Sequence, residues 1–210
     1  MRAGNLGSKV VAPRLWKTEL LMSGSSDFQE IEEIAGAGVF TKKLFRDDRG
    51  VLGKVFAESA FRSSGTRHHV SEVFWSQSRR DVLRGMHYQE GQDGQSKTVT
   101  VLLGEICDVL FDVRRASPTF GRHFSTILCE IDSRTISIPP GVAHGFKVLS
   151  ETAITLYSVS TEYDPGLERG INSQTIGFEW PGGESIISER DLLLPPFSPA
   201  ESNLLYEGQQ

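Results

Sequence analysis

The feature that most constrains this chain is a series of short apolar segments that alternate with period two and stop at turn residues. In SKTVTVLLGEICDVLFDVR (96–114), Val99 and Val101 share one face, as do Cys107, Val109, Phe111 and Val113. Such alternation turns one face of a strand toward a core. Gly104-Glu105 separates the two halves as a turn. STILCEIDSRTISIPPGVAHGF (125–146) repeats the pattern, with Asp132-Ser133 read as a hairpin turn and Pro139-Pro140-Gly141 as a sharp corner. TAITLYSVSTEY (152–163) adds another alternating strand. Helical periodicity is confined to 29–36 and the tail near 186–193. Many short strands with frequent turns predict an all-β antiparallel sandwich or barrel of the jelly-roll type, with few helices.

The 210 residues suffice for one domain with a real core. We read 1–26 as a flexible N-terminal extension, with a short helix around Leu15–Met22 as an option, 27–196 as the domain, and 197–210 as a C-terminal tail. A net charge of -5, spread along the chain, does not resemble the basic stripe of a nucleic-acid binder. Two cysteines, Cys107 and Cys129, are too few for a disulfide framework and fit a reducing compartment. No apolar run approaches the roughly 18 residues of a membrane span. Near the N-terminus the apolar clusters are as brief as Leu20-Leu21-Met22, so a signal peptide's apolar segment is not expected. A soluble cytoplasmic protein, without nucleic-acid or membrane partners, is expected.

The stretch LRGMHYQ (83–89) holds one of only five histidines, His87. Cupin-type jelly rolls often carry a metal on a His-x-His pair and a later histidine. His144, in PPGVAH, fits the later element, but the partner position of His87 is Gln89. A firmly held Zn or Fe ion needs three or more well-placed ligands, so a metal site is not expected. GQDGQSKT (91–98) is not a phosphate loop either, because Ser96 precedes Lys97 and a strand follows. Lys97 starts that strand, and spacing alone fits a solvated lysine at a loop edge as well.

Proton transfer remains. His87 titrates near neutrality and can act as a base if a carboxylate fixes its tautomer. Asp108, Asp112 and Asp191 are the candidates, each otherwise an ordinary turn or surface aspartate. Asp108 and Asp112 share a strand face, where inward carboxylates are costly unless paired. Asp191, in SERDLLLP, follows the last strand-like segment, where a chain end could fold back over a barrel mouth. Tyr157 shares a face with Thr155 and Val159; a strand tyrosine usually packs, but a phenol inside a barrel can also donate a proton. Arg49 and Arg84 sit beside glycines, which lets guanidinium groups approach a pyrophosphate, though turn arginines are often simply solvated.

Taken in order, FRDDRG, VLRGMHYQ, QSKTVTVLLGEICDVLFDVRRASPTFGRH, IPPGVAHGFKVLS, LYSVSTEYDPGLERGI, WP and SERD resemble the dTDP-4-dehydrorhamnose epimerase family over about residues 27–196. The resemblance implies a metal-free cupin jelly roll without cofactor, normally a homodimer with exchanged strands, that inverts C3 and C5 of a nucleotide-linked 4-keto sugar. It implies His87 as the base and Asp191 as its partner. It further implies Lys97 beside the keto oxygen, Tyr157 as the acid on the opposite face, and Arg49 and Arg84 on the phosphates. His144, Tyr163, Gln89 and Glu168 would complete the substrate pocket. A C–H beside a ketone is a very weak acid, so a histidine removes its proton only if a positive charge stabilises the enolate.

Three positions depart from the family pattern. Lys54 stands where a glutamate is usual, and Glu72 and Phe74 stand where glutamine and asparagine are usual. One charge reversal, one new charge and one amide lost to a ring should rewrite hydrogen bonding to a base edge. A guanosine- or cytidine-linked sugar is therefore expected, with dTDP as the alternative if neighbouring residues rebuild the pocket. A ketoisomerase, a C3-only epimerase, a non-catalytic sugar-binding jelly roll and a metal-dependent cupin are the alternatives.

Overall fold

A computed structural model describes residues 27–66, 68–90 and 94–199. The readings of 1–26, and of the tail beyond residue 199, lie outside the described residues. The strands β1 (Asp27–Glu30), β2 (Gly38–Thr41), β3 (Leu44–Asp47) and β4 (Gly50–Gly53) are followed by a helix α1 (Glu58–Ser63). Eight longer strands follow: β5 (Glu72–Arg79), β6 (Val82–Gln89), β7 (Lys97–Leu103), β8 (Glu105–Asp112), β9 (His123–Cys129), β10 (Arg134–Ile138), β11 (Val142–Val148) and β12 (Thr152–Val159). The chain ends with β13 (Glu168–Gly170), β14 (Ile186–Ile187) and α2 (Glu189–Leu192).

One sheet runs β1-β2-β10-β7-β12-β5 and faces a second, β13-β6-β11-β8-β9, with β14 added in parallel beside β6. The expected all-β jelly roll is thus present. Its connections differ from one local reading. Asp132-Ser133 is not a hairpin turn: it carries the chain from β9 in one sheet to β10 in the other. Gly104 and Pro139-Pro140-Gly141 make similar crossings. A turn signal marks where a strand stops, but not which sheet receives the next one.

The alternation identified in the sequence sorts side chains as expected. Val99, Val101, Ile106, Leu110, Ile136 and Phe146 fill the space between the sheets. Cys107, Val109, Phe111 and Val113 point out of the second sheet, where Ile171, Ile176 and Trp180 from the chain end cover them. Burying each such aliphatic or aromatic side chain contributes about 1.5–3 kcal/mol.

The helical reading of 29–36 fails. β1 extends to Glu30, and Ile31 and Ile34, both buried, anchor a tight turn closed by the bond from Ile31 N–H to the Ala37 carbonyl. An i, i+3 apolar pair suits a turn as well as a helix. The short α1 was not anticipated; it places Phe61 beside Phe40, Phe56 and His68 on the outside of the first sheet. The helical reading of the tail near 186–193 holds only for Glu189–Leu192, as α2, because Ile186–Ile187 pair with β6 as β14.

Candidate active site

The site begins with a backbone irregularity in LRGMHYQ. Strands β6 and β11 pair His87 with His144 and Arg84 with Phe146, so three steps on β6 oppose two on β11. This bulge depends on two glycines in close approach. A Cβ on Gly85, whose φ is +112°, would lie 2.6 Å from the His144 carbonyl oxygen, and one on Gly145 would lie 2.8 Å from that of Arg84. A bulge re-aims the following side chain and frees backbone groups from the ladder. Here the freed Gly85 N–H donates to Asp191 Oδ2 at 3.2 Å, and His87 Nε2 lies 2.8 Å from Asp191 Oδ1.

Asp191 reaches this position because the chain end folds back. β14 lies along Val82 and Leu83 of β6, and Ser188 then caps α2 by accepting the Asp191 N–H. Burial alone would raise the Asp191 carboxyl, but the His87 and Gly85 hydrogen bonds and the Arg190 charge outweigh it and hold it below the usual range. Asp191 Oδ1 and Arg190 Nη2, at 3.1 Å, both face His87 Nε2, so the aspartate and its neighbouring guanidinium fix the orientation of the ring. Among the three aspartates weighed from sequence, Asp191 is therefore the partner of His87. Asp108 pairs with His144 at 2.7 Å instead. Asp112 is held by Arg114, Ser117 and Thr119, away from both histidines.

His87 and His144 line a cavity of about 530 Å³, together with Lys97, Tyr157, Arg84 and Gln89. Glu72, Phe74, Tyr163 and Glu168 line it too. Lys97 opens β7 inside the barrel rather than at a solvated loop edge. Burial lowers its ammonium to about 8, against the pull of Glu168 and Asp108. Tyr157 lies on β12 and is 6% exposed; burial raises its phenol well above the usual range, so it stays protonated at neutral pH. The Phe74 ring stacks on Tyr157 at 4.8 Å and 16°, and Glu72 accepts the Tyr163 N–H at 2.8 Å. Gln89 accepts from Gln95, and the Tyr163 hydroxyl donates to Glu168 at 2.5 Å.

Two expected residues are not brought here. Arg49 lies in the β3–β4 hairpin, paired with Asp47 at the surface, and Lys54 follows that hairpin; neither lines the cavity. Arg190 is a residue that sequence reasoning passed over. It bonds Glu168 at 3.1 Å and reaches Asp191 Oδ1 at 3.4 Å, tying the mouth of the site together. Its signal was its place beside Asp191 in SERD. The Asp108–His144 pair was also missed, although a polar residue between inward-facing Ile106 and Leu110 marked Asp108 as unusual.

A jelly roll with two histidines in its cavity, each paired with a carboxylate, and a half-buried lysine beside them has a cupin-type fold. The family model of dTDP-4-dehydrorhamnose 3,5-epimerase matches residues 32–199. A dTDP-4-dehydrorhamnose 3,5-epimerase of Pseudomonas aeruginosa is 40% identical over 168 residues, 78% of this chain and 92% of that protein. The structure of the epimerase from Legionella pneumophila, in complex with dTDP-4-keto-L-rhamnose, superposes with a TM-score of 0.80 at 32% identity. It covers 86% of this chain and 98% of the other. A 3'-monoepimerase from Streptomyces bikiniensis, in complex with dTDP-quinovose, gives a TM-score of 0.74 at 32% identity, covering 79% and 86%. The chain belongs to the dTDP-4-dehydrorhamnose 3,5-epimerase family and is an isomerase, a carbohydrate epimerase of deoxysugar biosynthesis. No helix among the described residues is long and apolar enough to cross a membrane.

Proposed function

We propose that the protein epimerises C3, C5 or both of a nucleotide-diphospho-4-keto-6-deoxyhexose by proton abstraction at His87 and reprotonation from Tyr157. The observation that carries this reading is one cavity shared by an aspartate-oriented imidazole, a half-buried ammonium and a protonated phenol. His87 takes the proton from the carbon beside the carbonyl, and Asp191 stabilises the imidazolium that forms. Lys97 faces the oxygen on which enolate charge develops, in surroundings where one positive charge counts for more than in water. Tyr157 then delivers a proton to the other face. The likeness to the 3'-monoepimerase keeps inversion at C3 alone as a second reading.

The protein acts as a homodimer in this reading. Strand β5 ends its sheet, and Trp75 and Val73 on it are exposed, as are Val51 and Leu52 of the β3–β4 hairpin. An open apolar edge and an apolar hairpin standing off the barrel are surfaces that a second copy would cover. The exchanged hairpin would bring Arg49 and Lys54 of the partner subunit to the nucleotide end of the cavity.

Lys54, Glu72 and Phe74 support a base preference moved from dTDP toward GDP or CDP, since none offers the hydrogen bonding of the residue usual in the family. Incubation with dTDP-, GDP- and CDP-linked 4-keto-6-deoxyhexoses in deuterated water tests both parts of the reading. Deuterium at C3 or C5 is expected; its absence with every sugar would remove the epimerase assignment, and preference for dTDP would remove the switched base.

A further inference from the structure

We propose that His68, on the back of the first sheet, is a positioning residue that ties the start of β7 to the end of β12 and so fixes Lys97 and Tyr157 relative to each other. The inference rests on those two side chains acting as in the reaction above. Lys97 is the first residue of β7 and pairs with Val159, the last of β12. Strand ends open more readily than strand centres. Yet an ammonium that steadies an enolate and a phenol that reprotonates it must keep one geometry. The backbone ties these ends one step further, with the Ser160 N–H donating to the Ser96 carbonyl at 3.0 Å.

The side chains complete the tie from behind. Ser96 precedes Lys97, and Ser158 follows Tyr157. Alternation therefore turns both hydroxyls to the back of the sheet as it turns Lys97 and Tyr157 into the cavity. His68 reaches both: its Nδ1 lies 2.9 Å from Ser96 Oγ and its Nε2 lies 3.0 Å from Ser158 Oγ. Ser158 Oγ in turn lies 2.6 Å from the hydroxyl of Thr98, its register partner on β7. All four side chains are buried. The Phe56 and Phe61 rings pack against the imidazole, at 6.0 and 5.4 Å between centroids.

An aromatic lid over a sheet face would ordinarily meet apolar side chains, because buried polar groups are costly unless bonded. A bonded polar set, however, fixes strand ends in one register, which apolar contacts alone do less sharply. Burial, with the charge of His69 adding to it, pushes the His68 imidazole down to about 4. The ring is therefore neutral at the pH of turnover, one nitrogen donating and the other accepting. His68 is not among the residues lining the cavity, so it acts through the strands and not on the substrate.

His68→Phe removes both hydrogen bonds and keeps a ring against Phe56 and Phe61. In the deuterium-exchange assay kcat should fall about tenfold or more, with KM unchanged. Acetic anhydride labelling of Lys97 across pH, read by peptide mass spectrometry, supplies a second readout that needs no turnover. The Lys97 titration should move up from about 8 toward the ordinary lysine value of about 10.4, because a loosened strand end lets water reach the ammonium. His68→Gln, whose amide nitrogen can take the place of Nε2, should recover most of both effects. If His68→Phe fails to fold, Ser158→Ala removes the Tyr157 arm alone and should show the same two changes. A lower thermal midpoint with wild-type kcat and Lys97 titration would make His68 a packing residue only and overturn the proposal. So would a fall in kcat with the Lys97 titration unmoved. Wild-type protein that exchanges no deuterium would instead overturn the underlying epimerase reading, while the labelling still decides whether His68 holds Lys97.

Discussion

His87 and His144 are register partners on adjacent strands, yet their Nε2 atoms go to carboxylates from different parts of the chain. Asp191 comes from the returning chain end and Asp108 from the neighbouring strand β8, at 2.8 and 2.7 Å. The His87 side chain is 22% exposed and that of His144 only 5%. The two pairs are alike in chemistry and unlike in access. In the proposed reaction His87, the more exposed of the two, is the one that meets the substrate carbon.

Replacing His87 by asparagine should lower deuterium exchange at the substrate ring by about 10²–10⁴-fold. The thermal midpoint should shift little, since the side chain is partly exposed and its loss opens no core cavity. Exchange at the wild-type rate would remove His87 as the base.

The reaction should lose rate as pH rises through about 8, where Lys97 loses its proton. The sign follows from the charge: the ammonium that steadies the enolate exists only below that value. Lys97→Met should cost about 10²–10³ in kcat and remove this limb from the pH–rate profile. A limb that persists in the variant belongs to another group.

Gly85→Ala should act on both stability and chemistry. The new Cβ would press on the His144 carbonyl at 2.6 Å in a backbone region, φ +112°, that favours glycine. A loss of about 1–3 kcal/mol in urea unfolding is expected. Activity should fall beyond what the unfolded fraction explains, because the bulge aims His87 and holds Asp191.

Acid should destabilise the protein partly through Asp112. Burial would raise this carboxyl, but Arg114, Ser117 and Thr119 bind it and hold it below the usual range. Its contribution is therefore complete above the unfolded value of about 3.9 and is lost as pH falls through the lower folded value. Asp112→Ala, which leaves the buried Arg114 without this partner, should cost about 3–5 kcal/mol at pH 7 and flatten the acid limb of stability. Urea unfolding at a series of pH values measures both.

Mixed dimers test where Arg49 acts. Arg49→Ala and His87→Asn proteins should each be impaired, while refolding them together should yield activity above either parent. In a mixed dimer, one site then receives an intact histidine and the partner subunit's intact arginine. No gain on mixing would place Arg49 outside the partner's site.

What the sequence determined by itself was mostly local. Period two assigned Val99 and Val101 to one layer and Cys107, Val109, Phe111 and Val113 to another, since successive strand side chains must alternate. The order of motifs carried the family, and with it His87, Lys97, Tyr157 and Asp191 as one set. What the tertiary structure decided was partnership across long chain separations. It chose Asp191 over Asp108 and Asp112 for His87, sent the Asp132-Ser133 turn between sheets, and kept Arg49 and Lys54 away from the cavity of their own chain. A strand's alternation follows from its own backbone, whereas a carboxylate's partner depends on how two sheets close and where the chain end returns. That closure is a property of the whole domain.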